Sequence, residues 1–175
     1  IYKNALAGVN IESNANPTLK ENRINDGLES GVYVHDKGLG QLSGNDIWAN
    51  KLAGVEIRSF GNPTMTGNKI HENEGNGVVV AMNGEGSITD DDIFQNKLAG
   101  VSISTAGNPT LSNNRIYSGC EAGVHVYDGG CGTLTGNEVF DNANAGVEVA
   151  TGGKPVVTSN NIHDGKGDGV YVHDN

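Results

Sequence analysis

The sequence predicts an all-β solenoid, a right-handed parallel β-helix built from three short strands in each 23-residue coil. Three observations carry that expectation. Gly-Val recurs every 23 residues, at Gly8-Val9, Gly31-Val32, Gly54-Val55, Gly77-Val78, Gly100-Val101, Gly123-Val124, Gly146-Val147 and Gly169-Val170, with no insertion between copies. Three further columns of the repeat are apolar throughout. The chain has 27 glycines and only 5% aromatic residues, as expected where turns are many and strands short. A fixed period of about 20 to 50 residues means one unit stacked on copies of itself, not a core closed by distant contacts.

The first strand of each coil follows the glycine. Val9, Val32, Val55 and their equivalents are followed two residues later by Ile11, Val34, Ile57, Val80, Ile103, Val126, Val149 and Val172, with a variable residue between. Apolar-variable-apolar in a β-branched run is a strand with one buried face. The second strand centres on Leu19, Leu42, Met65, Ile88, Leu111, Leu134 and Val157, and the third on Ile1, Ile24, Ile47, Ile70, Ile93, Ile116, Val139 and Ile162. Stacked at ~4.8 Å per coil, about seven to eight coils give a rod on the order of 35 Å long. Right-handed winding is the default for parallel crossovers.

Between the second and third strands an asparagine column runs through Asn22, Asn45, Asn68, Asn114, Asn137 and Asn160, broken only by Asp91. Asn tolerates left-handed backbone, and its amide can bond the same group one coil away, so an asparagine ladder is expected here. A second turn column alternates Asn and Gly: Asn4, Gly27, Asn50, Asn73, Asn96, Gly119, Asn142, Gly165. It is read the same way. Asp91 interrupts the first ladder, because a carboxylate accepts but cannot donate. Asp91→Asn is therefore expected to add about 0.5–1.5 kcal/mol, one net hydrogen bond. A 46-residue unit overlies the 23-residue one. Asn16-Pro17, Asn62-Pro63 and Asn108-Pro109 alternate with Gly38-Leu39-Gly40, Gly84-Glu85-Gly86 and Gly130-Cys131-Gly132.

The whole chain, 1–175, reads as a single domain, and its start within a repeat suggests a piece of a longer protein. Bare coils at both ends would favour end-to-end self-association. The net charge of −10 argues against a nucleic-acid partner, and no apolar run long enough for a membrane span is present. Cys120 and Cys131 flank a strand and are expected to stay unpaired, which fits a reducing compartment slightly better than a secreted one.

The phrases NPTLKENRINDGLESGVYVHD (16–36) and GNDIWANKLAGVEIRSFGNPT (44–64) resemble the PbH1 or CASH repeats of the β-helix region of F-box only protein eleven and its bacterial and protist relatives. The resemblance implies a protein-recognition β-helix and, if it holds, a cytoplasmic or nuclear setting. No F-box segment is present in the sequence. The same repeat class also occurs in carbohydrate-active enzymes.

Two outer patches are candidate sites. One is an aromatic line after the third-strand isoleucines, reading Tyr2, Asn25, Trp48, His71, Phe94, Tyr117, Phe140, His163. Trp48, Phe94, Tyr117 and Phe140 are its candidate binding residues, for a protein segment or a glycan, against a plain stacking ladder. The other is a polar patch of Glu12, His35 and Arg58 in one column beside Asn10, Tyr33 and Glu56 in the next, in which Glu12 is expected near His35 and His35 near Arg58. His125 and Glu148 form a similar expected pair. No catalytic residue, metal or cofactor is assigned: the five histidines are scattered, and Asp90-Asp91-Asp92 lacks the repeat pattern of calcium-binding β-rolls. The favoured expectation is a non-enzymatic scaffold that binds a protein segment, because uninterrupted coils offer no cleft walls. The alternatives are a carbohydrate-binding or carbohydrate-active β-helix (a lyase, hydrolase or epimerase) and a structural spacer.

Overall fold

The structure, a computed structural model, describes residues 1–174. The chain winds as a parallel solenoid with three sheets. The first holds eight strands, from Val9–Ile11 to Val170–His173. The second holds seven, from Thr18–Lys20 to Val156–Thr158, and the third seven, from Arg23–Asn25 to Asn161–His163. Every strand pairs with its equivalent 23 residues away, as Val32 does with Val55 and Ile47 with Ile70. Coils are numbered here by their first-sheet strand. Among the described residues no helix is long and apolar enough to cross a membrane.

Each coil sends four apolar side chains inward. Val55, Ile57, Met65 and Ile70 make one layer, and Val78, Val80, Ile88 and Ile93 the next, all fully buried. Burying one such side chain contributes roughly 1.5–3 kcal/mol, so the repeat is held chiefly by this continuous core. The glycine of Gly-Val is required by the same packing and not by its dihedral angles. A Cβ on Gly31 would come within 2.7 Å of both the Gly54 carbonyl oxygen and Ile47 Cγ2.

The asparagine columns are ladders, but the left-handed backbone falls one residue earlier than the sequence suggests. Glu21, Gly44, Gly67, Asp90, Asn113 and Gly136 have positive φ before the first column; Asp26, Ala49, Glu72 and Gln95 do so before the second. Turning the chain one residue early frees the Asn amide to point into the coil. Asn68 Nδ2 donates to the Leu42 carbonyl at 3.0 Å, and Asn45 Nδ2 donates to Asn68 Oδ1 at 2.9 Å. In the second column Asn50 Nδ2 donates to Asn73 Oδ1 and Asn73 Nδ2 to Asn96 Oδ1. The glycines there are gaps in the ladder, not left-handed turns: Gly119 gives only its backbone N–H to Asn142 Oδ1, at 3.1 Å.

The 46-residue period has a backbone cause. Gly40, Gly86 and Gly132, with φ of 94°, 138° and 110°, alternate along one corner with Pro17, Pro63 and Pro109. Proline cannot adopt those angles, so adjacent coils take different turns there. Cys120 and Cys131 are both free thiols.

Candidate functional site

First-sheet strands alternate, so the residue between the two inward aliphatics, and the residue after them, face outward. The two outward columns are Asn10, Tyr33, Glu56, Val79, Ser102, His125, Glu148, Tyr171 and Glu12, His35, Arg58, Ala81, Ser104, Tyr127, Ala150, His173. Their members sit one coil apart in an in-register parallel sheet.

Coils 1 to 3 gather the polar patch. His35 Nε2 lies 3.0 Å from Asn10 Oδ1 and 3.1 Å from Glu12 Oε2, while Nδ1 lies 3.0 Å from Asp36 Oδ2. The Tyr33 ring stacks on the imidazole, with centroids 4.2 Å apart and planes 22° apart. Glu56 holds Arg58 Nε at 2.5 Å with one carboxylate oxygen, and Ser30 Oγ–H donates to the other at 2.6 Å. Burial first, and then the Glu56 carboxylate, push the Tyr33 phenol above its ordinary value, which keeps it a neutral donor.

Glu12 and His35 meet as the sequence suggests, but Arg58 turns to Glu56 of its own coil instead of to His35. An acid one strand position away, already fixed by Ser30, is the nearer partner. The expected His125–Glu148 pair also does not form as such. Glu148 Oε1 lies 3.1 Å from His173 Nε2, and the His125 ring stacks on Tyr127 with centroids 4.5 Å apart. Two contributors escaped the sequence reading: Ser30 and Asp36. Ser30 did leave a signal, since it stands in a column that is mostly alanine (Ala7, Ala53, Ala99, Ala122, Ala145), with Asn76 and Asp168 the other polar members. Asp36 belongs to the phrase Tyr-Val-His-Asp, which recurs at 171–174.

Glu12, His35 and Asp36 bring ligand atoms within 4.8 Å of one another. The imidazole meets the two acids through different nitrogens, Nε2 with Glu12 and Nδ1 with Asp36. That geometry suits a hydrogen-bonded proton carrier better than a metal centre.

The aromatic line lies on the third sheet as one stack. Trp48, His71, Phe94, Tyr117, Phe140 and His163 follow with centroids 6.0, 4.6, 5.1, 4.7 and 5.4 Å apart and planes within 10° of parallel. Arg23 covers Trp48 at 5.1 Å, and Arg115 lies 4.9 Å from the Tyr117 centroid and 5.5 Å from that of Phe140. His71 Nε2 is held 3.0 Å from Asp46 Oδ1. Ring faces are thus occupied by other rings or by guanidinium groups, and the edges of Trp48, Phe94, Tyr117 and Phe140 remain for solvent.

Fold and site together define a right-handed parallel β-helix with an open polar face. The chain belongs to the right handed beta helix region family, which matches residues 1–116 and 88–175. No curated protein matches the sequence. Among solved structures it is similar to a point mutant of the periplasmic alginate epimerase AlgG, with a TM-score of 0.77, 18% identity, and coverage of 97% of this chain and 47% of that one. It is also similar to the A-module of the Azotobacter vinelandii mannuronan C-5 epimerase AlgE4, with a TM-score of 0.73, 18% identity and coverage of 89% and 55%. The AlgE6 A-module of the same organism gives 0.67, 19%, 89% and 57%. The chain spans about half the length of these structures. They correct the expectation of a non-enzymatic scaffold for a protein segment. The β-helices that resemble this chain are described as polysaccharide epimerases, and nothing supports the resemblance to an F-box protein.

Proposed function

We propose that the protein is a carbohydrate-binding and carbohydrate-active β-helix that holds a glycan on the outer face of its first sheet. The observation that carries this reading is the His35 clamp, an imidazole fixed by Glu12 and Asn10 on one side and Asp36 on the other, with Tyr33 stacked upon it. A sugar presents hydroxyls in fixed directions, and binding it requires donors and acceptors that are already oriented. Glu12 and Glu56 accept, Tyr33 and Arg58 donate, and His35 can do either. The likeness in fold to epimerases of alginate and mannuronan supports a polysaccharide as the ligand.

The same cluster supports acid–base chemistry. His35 beside Glu12 can take a proton from a bound sugar or return one, and Arg58 held by Glu56 supplies the fixed positive charge near it. The whole protein should be run against mannan, mannuronan, xylan and galactan in affinity electrophoresis, with each polysaccharide then examined by NMR for new signals. At least one polysaccharide should retard the protein, and His35→Ala should weaken that retardation by about tenfold or more, near 1.4 kcal/mol. Any new NMR signal should vanish with the same substitution. Free migration of the wild-type protein through all four gels would overturn the proposal. So would an undiminished His35→Ala variant.

A further inference from the structure

The Tyr–His stack of the His35 clamp, with a polar partner on the preceding coil, recurs on the same face. On coil 8, Tyr171 stacks on His173 with centroids 4.4 Å and planes 22° apart, against 4.2 Å and 22° for Tyr33 and His35. His173 Nε2 lies 3.1 Å from Glu148 Oε1 on the preceding coil; Glu148 stands in the column of Asn10, whose Oδ1 lies 3.0 Å from His35 Nε2, and Ala150 takes the place of Glu12. Six coils separate the two, or about 29 Å at the parallel-strand spacing.

Midway between them the outward side chains are small. Val79, Ala81, Ser102 and Ser104 are the outward residues of coils 4 and 5, and Ala81, Ser102 and Ser104 are only 5%, 6% and 7% exposed. They are shaded by taller neighbours, Glu56 and Arg58 on one side and His125 and Tyr127 on the other. His125 and Tyr127 form a third stacked pair in reversed order, 4.5 Å apart.

Resting on the glycan reading above, we infer that the two clamps belong to one track, along which a single unbranched neutral polysaccharide lies parallel to the solenoid axis. Clamps that repeat at a whole number of coils suit a partner with its own regular repeat, and one sugar ring spans about the rise of one coil. A folded protein partner offers no such repeat. Charge selects among polysaccharides. The clamps carry Glu12, Asp36, Glu56 and Glu148 against the single cation Arg58, which Glu56 already holds. A polyuronate would add a carboxylate at each sugar and be repelled, whereas a neutral chain meets only hydrogen-bonding groups. In this respect the face departs from what the alginate and mannuronan names of its structural neighbours would suggest.

Mannan and mannuronan oligomers share a backbone and differ in the carboxylate, so they are the probes. Titration calorimetry should use the whole protein with oligomers of about three and about ten sugars, lengths below and above the span between clamps. The long mannan should bind with one chain per protein and at least tenfold more tightly than the short one, which should fill two places. Tyr33→Ala with His35→Ala, or Tyr171→Ala with His173→Ala, should each reduce long-mannan affinity to the short-chain value. Circular dichroism confirms that each pair folds. Long mannuronan should bind more weakly than long mannan, and the gap should widen at low salt. The track is overturned if length makes no difference, if the coil 8 pair of substitutions leaves long-mannan binding unchanged, if mannuronan binds better, or if mannan does not bind. In those cases the four-polysaccharide panel decides the glycan reading separately, because it requires only the His35 clamp.

Discussion

Asp91 shows how a single atom can alter the ladder. Asn68 Nδ2 and Asn114 Nδ2 each reach back to a carbonyl, of Leu42 at 3.0 Å and Ile88 at 2.8 Å. Asp91 places a carboxylate oxygen where that amide nitrogen would be. Its Oδ1 accepts from the Asn68 backbone N–H and side-chain amide, while Oδ2 is buried without a partner. Burial, above all, pushes its pKa up to about 7, with Asp90 and Asp92 adding to the rise and the Asn68 bonds opposing it. Folding therefore favours the protonated acid. The stability this group allows is complete below the unfolded-state value near 3.8, falls as pH rises, and is lost by the time pH has passed about 7. Asp91→Asn should thus raise stability by about 3–4 kcal/mol at pH 8 and by little at pH 4. That is a larger and more pH-dependent gain than one restored hydrogen bond. Urea unfolding of both proteins at the two pH values measures it. An equal gain at both would leave only the missing bond as its source.

At the level of elements, the first and third sheets share a construction and differ in what they leave exposed. On the third sheet the rings satisfy one another, and the neighbouring outward column alternates charge, with Arg115 bridging Asp92 at 3.2 Å and Glu138 at 3.3 Å. Such a surface holds coils together. Removing the central ring should therefore lower the melting temperature and spare the glycan face. Phe94→Ala breaks two stacked contacts, with His71 and Tyr117, each worth about 0.5–1.5 kcal/mol. A drop of several degrees with unchanged polysaccharide retardation is expected; retardation lost in a variant that still folds would return the aromatic line to candidacy. The strands, their register and the ring column were legible in the sequence because each is fixed by a period. Partner choice within the polar patch was not. Whether Arg58 meets His35 or Glu56 depends on rotamers and on Ser30, which no period specifies.

For the whole molecule, the two superposed periods make a sharper test than any substitution. Excising Val78 through Gly123 removes 46 residues and joins Gly77 to Val124, which keeps both the 23-residue register and the Pro–Gly alternation. It also removes Asp91 and brings Asn68 onto Asn137, so the first ladder becomes continuous. Excising only Val78 through Gly100 removes 23 residues and stacks Pro63 directly on Pro109, where the native chain inserts Gly86 with φ of 138°. A solenoid's stability is close to a sum over repeats and their interfaces, so the longer deletion should cost two coils and no misfit. The shorter one costs a single coil but forces two proline turns of the same kind into contact. The 46-residue deletion should therefore unfold cooperatively, while the 23-residue deletion, though it keeps more chain, should melt at a lower temperature. The longer deletion also draws the His35 and His173 clamps from six coils apart to four, about 19 Å. Mannan oligomers two sugars shorter should then bridge them. Calorimetric melting and the oligomer titration together read both effects, and an unchanged length threshold in a folded deletion protein would show that the clamps do not share one chain.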